Sequence, residues 1–129
     1  CARAGYDLLI SFQQLSDDWH ADYQDSHKAD GLVLLGYGDY LASESKLAKL
    51  AEQGTHFVRW GPSVPGQAGL TVGCDNIAGG RALTAHLLGL GRRKIAFIGD
   101  ASLHCPEFLD RHRGYVAALA DARLKPSPK

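Results

Sequence analysis

The sequence predicts an α/β fold in which helices cover both faces of a mainly parallel, Rossmann-like sheet. Strand-like and helix-like segments alternate along the 129 residues, an order that is typical of parallel sheets. Two of the strand-like segments, residues 31–35 and 95–98, are continuous apolar runs, as expected of strands that are buried on both faces. We therefore expect a three-layer αβα architecture.

Local patterns place the individual elements. The predicted strands are residues 6–12, 31–35, 55–60, 71–74 and 94–98. The predicted helices are residues 16–28, 43–53, 76–90 and 106–122, preceded by the end of a helix at residues 1–5. Segments rich in glycine, proline and polar residues should form the loops at residues 36–39, 61–69 and 99–105.

The helix predicted at residues 76–90 has clear signals at both ends. Asp75 or Asn76 can cap its N-terminal end, since short polar side chains accept hydrogen bonds from the first free amides. Gly91 can end it, because glycine adopts the left-handed conformation that follows many helices. The pair Gly79–Gly80 carries no side chain and should let the helix pack close to the sheet.

The composition is that of a globular protein, with 45% apolar and 22% charged residues. Fourteen basic and fourteen acidic residues give a formal net charge of zero, so the basic excess of a DNA-binding domain is missing. The three cysteines, at positions 1, 74 and 105, do not form a paired disulfide framework, which favours a reducing, cytoplasmic setting. No apolar run approaches the ~20 residues of a membrane helix.

No motif in the sequence sets a nucleophile beside a base, so no enzymatic activity is expected. Four potential metal ligands are close together in the sequence: His104, Cys105, Glu107 and His112. Their spacing matches no zinc pattern, and one helix cannot direct all four side chains at one point. We expect neither a metal site nor a cofactor.

A series of short motifs runs through the second half of the chain in a fixed order. They are Val72, Asp75-Asn76, Gly79-Gly80, His86-Leu87, Leu90-Gly91, Ile95 to Gly99, Arg111, Gly114-Tyr115 and Ala118-Leu119. In order and spacing this set is similar to the lac repressor/galactose repressor (LacI/GalR) family of bacterial transcription regulators. Residues 4–10 and 29–35 resemble the family's second and third strands with their lead-ins. Arg92 departs from the pattern, because members usually have histidine after Leu-Gly.

The resemblance implies a periplasmic-binding-protein-like effector core, in which two α/β subdomains clamp a ligand between them. On this basis residues 1–124 would be most of the N-terminal subdomain, and residues 125–129 would be a linker. The first strand of the core and the C-terminal subdomain would lie outside this chain. In the family that first strand lies between the strands expected here at residues 6–12 and 31–35, so the sheet would have a gap.

The resemblance also implies a function, which is effector sensing by a DNA-binding regulator that works as a homodimer. The effector would be a sugar, a sugar phosphate or a sugar acid. Operator DNA would be contacted only by a helix-turn-helix preceding this segment, and no membrane partner is implied. The alternative is a periplasmic sugar-binding protein of a transport system, which shares the fold. The set of motifs favours the regulator.

Candidate effector-binding residues follow from the rule that parallel sheets bind ligands outside the carboxyl ends of their strands. Arg111 is the best candidate, because the family's arginine in this motif points into the cleft and hydrogen-bonds the effector. A guanidinium group suits paired sugar hydroxyls, carboxylates or phosphates. His104, in the loop after the last predicted strand, is a second candidate. Asp75 is a third, although it is better suited to cap a helix than to bind ligand.

Arg59 and Trp60 end the strand predicted at residues 55–60 and complete the set of candidates. Many family members have aspartate at the position of Arg59, so here a hydrogen-bond donor replaces an acceptor. That exchange favours an anionic effector, but an ion pair with a nearby carboxylate explains it equally well. Trp60 can either stack on a sugar ring or simply cover the end of the sheet.

Overall fold

A computed structural model describes residues 2–12, 28–35, 39–62 and 66–126. The elements within these ranges are a 3-10 helix at Ala2–Ala4, strand β1 (Leu32–Leu35), helix α1 (Tyr40–Glu52), strands β2 (Phe57–Trp60) and β3 (Leu70–Val72), helix α2 (Asn76–Gly89) and helix α3 (Pro106–Asp121). The helix predicted at residues 16–28 falls almost entirely outside the described residues. None of the helices in these ranges is long and apolar enough to cross a membrane.

The three strands form one parallel sheet in the order β1-β2-β3. This arrangement confirms the predicted α/β class with a parallel sheet. Side chains in register across the sheet share a face, because successive residues of a strand point to opposite sides. The last two rows toward the carboxyl edge are Leu34-Arg59-Thr71 and Leu35-Trp60-Val72.

Helix α1 covers one face of the sheet. Leu47 and Leu50 of the helix are buried against Phe57 of β2, and the partly buried Leu32, Leu34 and Ala51 surround them. Each fully buried side chain of this size contributes about 1.5–3 kcal/mol to stability. The opposite face is also apolar, but within the described ranges it is exposed; its residues include Val33, Leu35, Trp60, Leu70 and Val72.

Aspartate side chains cap the N-terminal ends of two helices, and a glycine follows the end of one of them. Helix α1 begins at Tyr40 instead of the predicted residue 43, because Asp39 Oδ1 accepts hydrogen bonds from the amides of the first turn at 2.9 and 3.2 Å. Asp75, one of the two predicted caps, accepts from the Ala78 amide at 2.9 Å and starts α2. The predicted stop after α2 is confirmed, since Gly91 has a φ of 79°.

The strand predicted at residues 6–12 is not formed. Its large apolar side chains are exposed: Tyr6, Leu8, Leu9, Ile10 and Phe12. A strand is stabilised by backbone hydrogen bonds to a neighbour, and without them its amides and carbonyls are left to water. The neighbour expected for this segment is the family's first strand, and no described segment takes that place. The apolar pattern identified a strand-like segment but not its partner.

The prediction of a strand at residues 94–98 is also wrong, because this segment forms no strand and packs against helix α3. The ring of Phe97 lies 5.1 Å from His112 and 5.8 Å from Tyr115 between centroids. The buried Tyr115 hydroxyl donates a hydrogen bond of 2.8 Å to the carbonyl of Ile95. Aromatic packing and this hydrogen bond therefore fix the segment where ladder hydrogen bonds were expected.

Helices α2 and α3 cross at two glycines, Gly80 and Gly114. A Cβ atom on Gly80 would overlap the backbone carbonyl of Arg111, and one on Gly114 would overlap the carbonyl of Ile77. Only glycine lets two backbones approach this closely. The expectation that the glycine pair packs against the sheet is wrong, since Gly80 faces α3 and Gly79 faces open space.

A hydrogen bond between a histidine and a carboxylate joins the sheet side of the molecule to the loop before α3. His104 Nδ1 lies 2.7 Å from Asp39 Oδ2, and both side chains are partly exposed. This hydrogen bond holds the pKa of the Asp39 carboxyl below its ordinary value, and the Ala42 and Leu41 amides lower it further. Asp39 therefore caps α1 with one oxygen and holds the loop with the other.

The helix crossing predicts opposite effects for two adjacent glycines. Gly80→Ala should lower the free energy of unfolding by about 1–3 kcal/mol, because the added methyl group overpacks the crossing. Gly79→Ala, the matched control, should raise it by up to about 1 kcal/mol, because alanine favours a helix and space is open there. Urea denaturation followed by circular dichroism measures both changes. Equal effects of the two substitutions would contradict the crossing.

The hydrogen bond between His104 and Asp39 predicts a shift in the pKa of Asp39. A depressed carboxyl pKa stabilises the folded state above the ordinary value of about 4, and the contribution is lost as pH falls through the depressed pKa. His104→Ala should move the pKa of Asp39 back up toward its ordinary value. Carbon NMR of the side-chain carboxyl group measures it, with His86→Ala as control. The same Asp39 titration curve in both variants would refute the contact.

Candidate functional site

Arg111 projects from the first turns of α3 beside the N-terminal end of α2. Its Nε donates a hydrogen bond of 2.9 Å to Asn76 Oδ1. The guanidinium carbon lies 5.2 Å from the centre of the Phe108 ring, a cation–π contact on the same helix. The side chain remains exposed, and neither Nη group donates to another described residue. The guanidinium is thus held through Nε while its fork of Nη donors faces outward.

Asn76 orients Arg111, a role that the sequence pattern did not predict, since Asn76 was expected only as a possible helix cap. It is the first residue of α2 and is 9% exposed. Its Nδ2 donates to the Cys74 carbonyl at 3.3 Å, which fixes the amide so that Oδ1 points at the arginine. Asn76 belongs to the Asp75-Asn76 motif, but a single sequence does not show that its partner is Arg111, 35 residues away.

Arg59 and Trp60, the last two residues of β2, have opposite environments. Arg59 lies on the face covered by α1 and is 1% exposed, whereas Trp60 lies on the other face and is 54% exposed. Neither Nε nor Nη2 of Arg59 has a hydrogen-bond partner within the described ranges. No carboxylate of the described residues forms an ion pair with it. The ion pair that was one explanation of Arg59 is therefore not formed within these ranges.

The loop before α3 holds His104 and Cys105. One ring nitrogen of His104, Nδ1, lies 2.7 Å from Asp39 Oδ2. Desolvation raises the pKa of the Cys105 thiol, and the nearby Asp100 carboxylate raises it further, so this cysteine is poorly suited to act as a thiolate nucleophile. In the part of the chain that the structure describes, no three histidine, cysteine or acidic side chains are grouped so that they could hold a metal ion.

The structure therefore brings some of the predicted site residues together. Arg111 and Asp75 both lie at the N-terminal end of α2, where Asp75 is engaged as the cap and Arg111 is held by Asn76. His104 is paired with Asp39 at the start of α1. Arg59 and Trp60 lie at the carboxyl edge of the sheet. These groups offer hydrogen-bond donors, an aromatic surface and carboxylates, which suit the binding of a polar ligand.

Among known proteins, matches to this chain were found only by comparison of structures and not by comparison of sequences. No protein-family model matches the chain, and no curated protein matches it by sequence. Solved structures do match. A regulatory protein of the LacI family from Chloroflexus aggregans has a TM-score of 0.70 and 26% identity, over 92% of this chain and 43% of that protein.

Two further structures give the same result. A PurR family transcriptional regulator from Vibrio parahaemolyticus has a TM-score of 0.73 and 24% identity, over 98% of this chain and 47% of that one. The transcriptional regulator CelR, solved as a complex with cellobiose, has a TM-score of 0.62 and 27% identity, over 82% of this chain and 33% of that one. The chain spans less than half the length of each of these proteins. In structure, it resembles the periplasmic-binding-protein-like effector-binding core of LacI/PurR-family transcriptional regulators.

Proposed function

We propose that this chain is the effector-sensing part of a bacterial LacI-type DNA-binding transcriptional regulator. The observation that carries the proposal is the likeness to several solved regulators of this class, which covers 82–98% of the chain in the three described above. The motif series from Val72 to Leu119 also supports the proposal, and this support comes from the sequence and not from the structure. A periplasmic sugar-binding protein is not favoured, because the matching structures described above are regulators.

The proposed ligand is a sugar or a related small polar molecule, and Arg111 is its principal contact. The outward Nη fork can donate two parallel hydrogen bonds to adjacent oxygens, the geometry that distinguishes arginine from lysine. The solved complex of CelR with cellobiose supports a sugar as the ligand class. Trp60 would stack on a ring face, and Asp75 and His104 would contribute polar contacts at the rim.

The full-length homodimer would have two arrangements that differ in their affinity for the ligand. This difference would couple ligand binding to DNA binding. A ligand that favours one arrangement shifts the population, and with it the spacing of the DNA-reading heads. The DNA contacts would come from a helix-turn-helix elsewhere in the protein, because this segment has no excess of basic residues. We place the protein in the cytoplasm and assign it no enzymatic activity.

The proposal is tested with the full-length gene product. DNA that it binds is first selected from a random-sequence pool, and binding is then titrated with and without cellobiose, glucose, glucose 6-phosphate and gluconate. At least one of these ligands should change the affinity for the selected DNA about 5- to 150-fold. Failure to select any DNA sequence would overturn the assignment as a regulator.

The role of Arg111 is tested by calorimetry in the same protein. Arg111→Ala should weaken binding of the active ligand about ten- to a hundred-fold, because a hydrogen bond from a charged group is worth about 1.5–3 kcal/mol. Arg113→Ala is the matched control, since Arg113 lies on the same helix and is ion-paired with Asp110. If both variants bind like the wild type, Arg111 is not a ligand contact.

A further inference from the structure

Arg59 carries a charge that is buried without a full set of hydrogen-bond partners among the described residues. Its side chain is 1% exposed, and in the part of the chain that the structure describes nothing accepts a hydrogen bond from Nε or Nη2. A guanidinium group cannot relieve this situation by losing its proton, because arginine stays charged in proteins. An ionised group without a counter-charge in such a place is strongly unfavourable. A group outside the described residues would have to offset this charge, and a bound anion is suited to do so.

The described carboxylates do not supply that anion. Asp39 stands at the N-terminal end of α1, the helix that covers the face on which Arg59 lies. One of its oxygens accepts from the amides of α1, and the other is held by His104 at 2.7 Å. The remaining ion pairs among the described residues involve Asp110 and Asp121, both on α3. Asp39 is thus occupied with other partners.

The surroundings of Arg59 suit a small anion. It lies in the next-to-last row of the sheet, where ligands of parallel sheets bind near the carboxyl edge. Thr71, next to it in the same row, carries a hydroxyl group on the same face. Helix α1 connects two parallel strands and so runs antiparallel to them, which brings its N-terminal, partly positive end to this edge.

We propose that Arg59 binds the anionic group of the effector, a carboxylate or a phosphate, so that the ligand is a sugar acid or a sugar phosphate and not a neutral sugar. This inference rests on the proposed function. It restricts the proposed ligand to an anionic sugar derivative, because a site with a buried guanidinium group binds a neutral ligand poorly when that ligand leaves the charge unpaired. Arg111 would hold the hydroxyl groups of the ligand, and Arg59 its charge.

The test uses the full-length gene product and its Arg59→Leu variant, with Arg92→Leu as control for the loss of an exposed arginine. Thermal unfolding is measured in anion-poor buffer and with added gluconate, glucose 6-phosphate, inorganic phosphate or cellobiose. Gluconate or glucose 6-phosphate should raise the melting temperature of wild type and of Arg92→Leu by about 5 °C or more at saturation, whereas Arg59→Leu should not respond. The responding ligand distinguishes a carboxylate from a phosphate.

Without added anion, Arg59→Leu should be at least as stable as wild type, because it removes an uncompensated buried charge. A marked loss of stability there would show that Arg59 has an internal carboxylate partner, and would overturn the proposal. Equal responses of wild type and Arg59→Leu to every anion would overturn it too. If cellobiose alone acts, and acts on both proteins equally, the anion is refuted while effector sensing stands. If no DNA is selected but anions still stabilise only proteins with Arg59, the regulator assignment fails by itself.

Discussion

The close crossing of helices α2 and α3 at Gly80 and Gly114 is the constraint on which the candidate site depends. Each glycine lies against the backbone of the other helix, so neither position has room for a side chain. The crossing sets the first turn of α2 beside the first turns of α3, and this is where Asn76 meets Arg111. A site built from two helices in this way is positioned by backbone contact, which is stiffer than contact between long side chains.

The two arginines of the site are positioned by different means. Arg111 is exposed, is held through Nε and is stacked on Phe108. Its charge therefore stays in contact with water at little cost in free energy, and its Nη donors remain available. Arg59 is buried in the central strand of the described sheet, and two of its nitrogens have no partner among the residues that the structure describes, so its position is costly unless another group binds there. Proteins keep such local conflicts mainly where function requires them, and this is the physical reason for treating the carboxyl edge of the sheet as a ligand site.

Much of the fold was predictable because its signals are local. The strand patterns at β1 and β2, the cap at Asp75 and the stop at Gly91 each depend on a few adjacent residues, and all were placed correctly. The segments at residues 6–12 and 94–98 were not, because a strand also requires a partner that one sequence does not identify. The pairing of Asn76 with Arg111 and the burial of Arg59 likewise depend on contacts between distant segments.

We propose that the crossing of α2 and α3 presents Arg111 to a ligand while Asn76 holds its Nε. Nitrogen NMR of the arginine side chains in the full-length protein tests it most directly, with a ligand that calorimetry shows to bind. The Nη signals of Arg111 should shift when the ligand saturates the protein, while its Nε–H remains protected from solvent exchange. That protection should be lost in Asn76→Ala. Arg111 signals that stay unchanged while the ligand binds would contradict it.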